Sequence, residues 1–279
     1  MSPTTKIRKR ARGALALTAA SLAIAIAVPT TAFGAGNEWL TGAQRSRADQ
    51  IISVFENATT AIRYDYAEAL PDGRGVTAGR AGFTTNDGDA LQVIQTYTNL
   101  VPGNPLARFI PELQRLAADG SGDTSGLPEA DYISAWKQAA QNDPVFRQVQ
   151  DDQVNQRYFT PAMQDADNEG LHTALARAEL YDASIQHGNG GEYDALPALI
   201  ARTDQAVGTA AEAGEATWLN AFLDVRKDDL LNPENEATQK EWSESVDRVE
   251  AIRRIAQTGN YDLNGPFQIT AFDKAYTIN

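Results

Sequence analysis

The chain has 279 residues, 37 acidic against 24 basic, no cysteine and a formal charge of −13. The absence of cysteine excludes disulfides, thiolate metal sites and cysteine nucleophiles together. The charge disfavours nucleic acid and anionic cell-wall polymers as partners and favours polycations, although solubility alone would also explain it.

Residues 1–34 read as a secretory signal peptide. Lys6, Arg8, Lys9, Arg10 and Arg12 form a basic start, 13–28 is an apolar run rich in Ala and Leu, and Pro29 and small residues come next. The run is too short for a comfortable membrane span. Its removal takes five positive charges and no negative ones, which moves the formal charge from −13 to −18. The remaining residues, 35–279, suffice for one large domain or two lobes sharing a core. A secreted, extracellular protein with no membrane attachment after cleavage is expected.

Helical periodicity dominates residues 35–279. Ala48, Ile51, Ile52 and Phe55 keep an i, i+3, i+4, i+7 pattern. Glu56 falls four residues after Ile52, at the edge of that stripe. A carboxyl pressed against apolar groups favours its protonated form and is a candidate general acid. Asn57-Ala58-Thr59 matches a glycosylation sequon within the predicted helix. The stretch 71–89 breaks the pattern with five glycines and several threonines. Pro71-Asp72-Gly73 signals a turn, and Val76-Thr77 and 82–85 read as short strands of a small hairpin or three-stranded sheet. Asp72, in a wet polar turn, stays ionised and is a candidate general base. Thr77 lies near enough in sequence to help hold a water beside it. As a turn aspartate, Asp72 would also be ordinary.

Leu91, Ile94 and Tyr97 begin the next helix, and 106–117 and 133–140 suggest two more. Composition makes 120–128 and 188–192 loops. Asp165, Asp167 and Gly170 have a calcium-loop flavour, but Ala176 stands where that loop needs a glutamate. Leu171, Ala174, Leu175, Ala178 and Ile185 mark a further helix, with Asp182 inside its apolar series. Leu219, Phe222, Leu223 and Leu230 mark another, with Arg226 in series. Trp242, Val246, Val249, Ile252 and Ala256 mark a last one, with Arg248 four residues before Ile252. Charges on apolar faces are costly unless paired, so Asp182, Arg226 and Arg248 are expected to form a buried ionic network. That network either cross-braces helices or reaches Glu56 and tunes it. His172 and His187, the only histidines, support neither a zinc site nor a serine triad, and His187 reads as a capping or loop residue.

Several segments together resemble the chitosanases of glycoside hydrolase family 46. They are Phe55-Glu56-Asn57-Ala58-Thr59-Thr60, Asp72-Gly73-Arg74-Gly75 with the text to Thr85, Gly88-Asp89-Ala90-Leu91, 181–188, 219–226 and 261–267. The similarity runs from about residue 42 to the C-terminus. It implies a mainly α, two-lobed lysozyme-like α+β fold, with the small sheet near 72–86 and a substrate cleft between lobes. It implies endo-hydrolysis of the β-1,4 bonds between glucosamine residues of chitosan, with inversion. Glu56 matches the family's acid, Asp72 its base and Thr77 the threonine that holds water. Asp89 matches an ammonium-binding aspartate. Asn57, Tyr66 and Arg74 match cleft residues, and Asp182, Arg226 and Arg248 match the network behind the acid. No metal or cofactor is implied, and a monomer acting on chitosan and glucosamine oligosaccharides is expected. The chain departs from many relatives at Val76, where they carry an aromatic residue, which bears on cleft contacts. The rival readings are a muramidase-like hydrolase on a related core and a non-catalytic polycation-binding protein.

Overall fold

The computed structural model describes residues 39–70, 73–119 and 123–279. The expected signal peptide, 1–34, and Asp72 lie outside the described residues. The first helix, α1 (Gly42–Asn57), starts at a capping box: Gln44 N donates to Thr41 Oγ1, and Thr41 N donates to Gln44 Oε1 at 2.9 Å. It ends where Ala58 turns left-handed, so Asn57 closes the helix instead of lying within it.

Three short antiparallel strands come next, β1 (Ala67–Ala69), β2 (Val76–Ala78) and β3 (Phe83–Thr84), in that spatial order. Glu68 pairs with Thr77, and Thr77 with Thr84. The predicted sheet is present, with one more strand upstream of the glycine-rich stretch. Gly79 turns the chain out of β2 at φ +75°, where a Cβ would meet Gln150 Oε1 at 2.6 Å, Phe83 and Trp136. The sheet packs there on α4 (Glu129–Asn142), and Trp136 Nε1 donates to the Tyr64 carbonyl at 3.0 Å.

Around this sheet lie α2 (Asp89–Leu100), α3 (Ile110–Asp119) and α5 (Pro144–Val154). Asp143 caps α5 through Val145 N at 2.8 Å and accepts from Tyr97 OH on α2 at 2.6 Å. A π-helical turn, Asn155–Phe159, continues α5 into α6 (Thr160–Glu169), which packs on α7 (Ala174–His187). Every residue of α7 from Ala174 to Ile185 is buried, the condition of a helix surrounded by others. Its neighbours include α1, α8 (Leu196–Val207) and α12 (Val246–Gln257). Between α8 and α12 run α9 (Ala210–Ala213), α10 (Glu215–Leu231) and α11 (Gln239–Ser243). A hairpin of β4 (Phe267–Ala271) and β5 (Lys274–Ile278) closes the chain against α12 and α1.

The architecture is mainly α with small antiparallel sheets, as the sequence predicts. Four details differ. The helix expected from Leu171 begins at Ala174. The helix expected through Trp242 is split, with Trp242 on α11 and the rest on α12. The hairpin β4–β5 and the helices α5, α6 and α8 were not anticipated. Val76 is fully buried, so the departure at that position concerns core packing and not a surface of the cleft.

Gly79→Ala should lower stability by about 1–3 kcal/mol, from overpacking and a strained φ together. A denaturant midpoint equal to that of the unaltered chain would show that the turn has room to adjust.

Candidate functional site

Glu56 occupies the last turn of α1, and 15% of its side chain is exposed. Arg248 Nη2 on α12 donates to its Oε1 at 3.0 Å. The Arg248 guanidinium also lies 5.2 Å from the centroid of the Phe55 ring. The same arginine donates to Asp182 from Nη2 at 2.6 Å and from Nε at 3.1 Å. Asp182 in turn accepts from Arg226 Nη2 at 2.7 Å. The three charges singled out by periodicity therefore do meet, and they lead from α10 through α7 and α12 to Glu56. Asp182 and Arg226 are fully buried and Arg248 nearly so. Burial opposes ionisation of Asp182, but the guanidiniums of Arg248 and Arg226 outweigh it and hold the carboxyl below its usual range. Burial likewise disfavours charged Arg248, and Asp182 and Glu56 more than compensate.

Sequence reasoning missed half of this network. Arg226 Nη1 donates to Glu179 Oε1 at 2.7 Å, and its Nη2 donates to Gln186 Oε1 at 2.6 Å. Arg226 Nε donates to His187 Nε2 at 3.2 Å. An arginine can only donate, so His187 is neutral with its proton on Nδ1, facing the Asp194 carbonyl at 2.9 Å. Burial, then Arg226, holds His187 well below the ordinary histidine range. It is the last residue of α7, with its side chain buried, and not a loop residue. Burial pushes the Glu179 carboxyl up to about 7, against the pull of Arg226. The signal was present in the spacing 179, 182, 186, which stacks three polar side chains on one face of α7.

A second set of ion pairs holds the other end of the same face of α1. Arg80, in the turn after β2, donates to Asp49 at 2.8 Å and pairs with Asp151 on α5. Tyr181 OH donates to Asp49 Oδ1 at 3.1 Å, and Tyr64 OH to Asp151 Oδ1 at 2.9 Å. The sheet is thereby tied to the helix that carries Glu56.

Thr77 lies in the middle strand, and its Oγ1 is buried without a partner among the described residues. Its cross-strand neighbour Thr84 donates its N–H to Asp89 Oδ1 at 2.7 Å. Asp89 opens α2, and Oδ1 also accepts from Ala90 N at 2.8 Å. Burial raises the Asp89 carboxyl to about 6, although Arg157 pulls the other way. Tyr66 OH donates to Glu68 at 3.1 Å just before β1. Arg74 and Asn57 are half-buried. The Arg74 carbonyl accepts from Asn86 N at 3.3 Å across the hairpin.

Among the described residues no group of three or more His, Cys, Asp or Glu side chains is arranged to hold a metal ion. Asp167, in the calcium-like stretch, instead accepts from Arg177 at 2.6 Å and from Trp39 Nε1 at 2.8 Å. No helix among the described residues is long and apolar enough to cross a membrane.

The family model described as Glycosyl hydrolase family 46 matches residues 50–267. A chitosanase of Bacillus subtilis (strain 168) is 49% identical over 260 residues, covering 92% of each chain. Among solved structures, a mutant Bacillus subtilis chitosanase complexed with 6 GlcN superposes with a TM-score of 0.79 at 50% identity. That superposition covers 86% of this chain and 100% of the other. A family 46 chitosanase from Gynuella sunshinyii in complex with chitotetraose has a TM-score of 0.79 at 48% identity, covering 86% and 99%.

Arg226→Ala leaves Asp182 and Glu179 buried without their shared cation. Stability should fall by about 3–5 kcal/mol, read as a lower melting point and denaturant midpoint. A melting curve that does not move would remove Arg226 from the role of brace between α7 and α10.

Proposed function

The chain belongs to glycosyl hydrolase family 46, and from that premise we propose that it is an exported endo-chitosanase that cleaves β-1,4 bonds between glucosamine units with inversion. The observation that carries this reading is the hydrogen bond from Arg248 to one oxygen of Glu56, at the end of a buried chain of charges. A bond to Oε1 is compatible with a proton on Oε2, which a general acid must carry. Glu56 protonates the glycosidic oxygen as the bond breaks. Asp72, by its match to the family motif, takes a proton from water attacking the opposite face of the sugar. Thr77 Oγ1, buried and without a protein partner among the described residues, has hydrogen-bonding capacity to give that water. Inversion requires room for the water, with carboxyls roughly 6.5–9.5 Å apart.

Substrate recognition rests on charge. A polymer of ammonium groups suits an acidic protein. Asp89 Oδ1 accepts from two backbone N–H groups and from Thr84 Oγ1, and Oδ2 accepts no hydrogen bond among the described residues. That oxygen is the proposed ammonium anchor. Asn57, Tyr66 and Arg74 complete the contacts to the sugar chain. Residues 1–34 serve as the export signal, 35–279 form one catalytic domain of two lobes, and the enzyme works as a monomer without metal or cofactor.

Three measurements test the reading. Highly deacetylated chitosan should lose viscosity rapidly with the unaltered protein and not with Glu56→Gln; retained cleavage in the variant would displace Glu56 as the acid. Proton NMR of the first products should show the α-anomer, and a β-anomer would sink inversion. The third concerns Asp89, whose carboxyl gains a proton as pH falls through about 6. In a Glu56→Gln background, the affinity advantage of Asp89 over Asp89→Asn for glucosamine oligosaccharides should shrink as pH falls through that value. An advantage independent of pH would mean that the anchor is another group.

A further inference from the structure

Glu179 stands one turn before Asp182 on α7 and is fully buried. Its Oε1 accepts from Arg226, while Oε2 is buried with no hydrogen-bond partner among the described residues. Glu179 is the partner of Arg226 Nη1, a donor that a neutral amide oxygen would also satisfy, so the hydrogen bond alone does not call for a second carboxyl. The charges explain it. Arg226 and Arg248 bring two positive charges, and Asp182 and Glu179 bring two negative ones. With Glu179 ionised, the set is neutral when Glu56 carries a proton and has one excess negative charge when Glu56 does not. Without Glu179 the set would be one charge positive, and Arg248 beside Glu56 would favour the carboxylate.

We propose that Glu179 is a positioning residue for the hydrolysis: acting through Arg226 and Asp182, it supplies the second negative charge that lets Arg248 orient Glu56 while Glu56 keeps the proton it must donate. This rests on the assignment of Glu56 as the acid. The groups acting on Glu179 come from every side of α7. Asp182 shares its helix, Arg226 comes from α10 and Arg248 from α12, and Glu56 on α1 is joined through Arg248. His187, neutral and bonded to Arg226, stands 3.5 Å from Asp229 of α10. Burial, with Asp182 alongside and against the pull of Arg226, raises the Glu179 carboxyl to about 7, and Glu56 is joined to the same chain of charges through Arg248.

The test is the pH profile of kcat/KM, whose alkaline limb reports loss of the protonated acid. In Glu179→Gln the limb should move to lower pH by about one unit. A brace would change melting and leave the limb in place, and an unmoved limb overturns the proposal. A reciprocal measurement alters nothing at Glu179. Glu56→Gln removes the competing anion, so the Glu179 carboxyl, followed by carbon NMR, should titrate at lower pH there than in the unaltered chain. Equal Glu179 titrations in the two proteins also overturn it. An unaltered chain that leaves chitosan uncut would instead sink the hydrolase reading, and the NMR comparison would still decide whether the two carboxyls are coupled.

Discussion

Two guanidiniums buried among carboxyls, Arg226 and Arg248, are the constraint around which the larger group of helices is arranged. An ion moved from water into a protein interior costs several kcal/mol unless partners replace its hydration. Arg226 finds four partners on α7, from Glu179 to His187, and Arg248 finds Asp182 and Glu56. These bonds are directional, so α7, α10 and α12 must converge at fixed rotations. An apolar core of the same volume would tolerate more sliding. The same directionality fixes Glu56, because the last link of the chain is its own carboxyl.

The helix that carries Glu56 is held twice along one face. Asp49 and Glu56 are seven residues apart, two turns or about 10 Å of rise. Arg80 grips the first and Arg248 the second. Arg80 belongs to the turn that leaves β2, and Arg248 to a helix in the other group of elements. One rigid rod thus receives a reference point from the sheet that bears Thr77 and another from the buried charges. Relative placement of groups supplied by distant parts of the sequence is what acid–base chemistry on a sugar requires.

Legibility in the sequence depended on which elements have one wet face. The helices α1, α2, α4, α10 and α12 alternate buried and exposed positions and were legible. So were Asp182, Arg226 and Arg248, because a charge inside an apolar series is conspicuous. Glu179 was not, because it falls outside the apolar series of α7 that frames Asp182, and only the burial of the whole helix reveals that its side also faces protein. The hairpin β4–β5 was hidden by its turn. Phe272 and Asp273 both adopt positive φ, at 54° and 61°, in a two-residue connection that usually advertises itself with Asn-Gly. Asp49 and Arg80 carry no cue in the sequence, since nothing local signals a partner 31 residues away.

The π turn at 155–159 explains why α5 and α6 escaped notice and has a consequence of its own. Buried positions Phe146, Gln150 and Gln153 of α5 would continue at 157, 160 or 161, and 164 in an unbroken helix. Instead Ala162, Met163 and Ala166 are buried and Gln164 is exposed. A π turn accommodates an extra residue, which rotates everything after it by about 100°. The widened turn is held by Ser184 and Asn189, which donate to the carbonyls of Tyr158 and Arg157. A single rod can therefore present one apolar face to the sheet side and another, out of phase, to α7. Loss of one residue at this point in a descendant would leave both helices intact yet turn one of their apolar faces toward water, so this short stretch should resist length change more strongly than the loops around it.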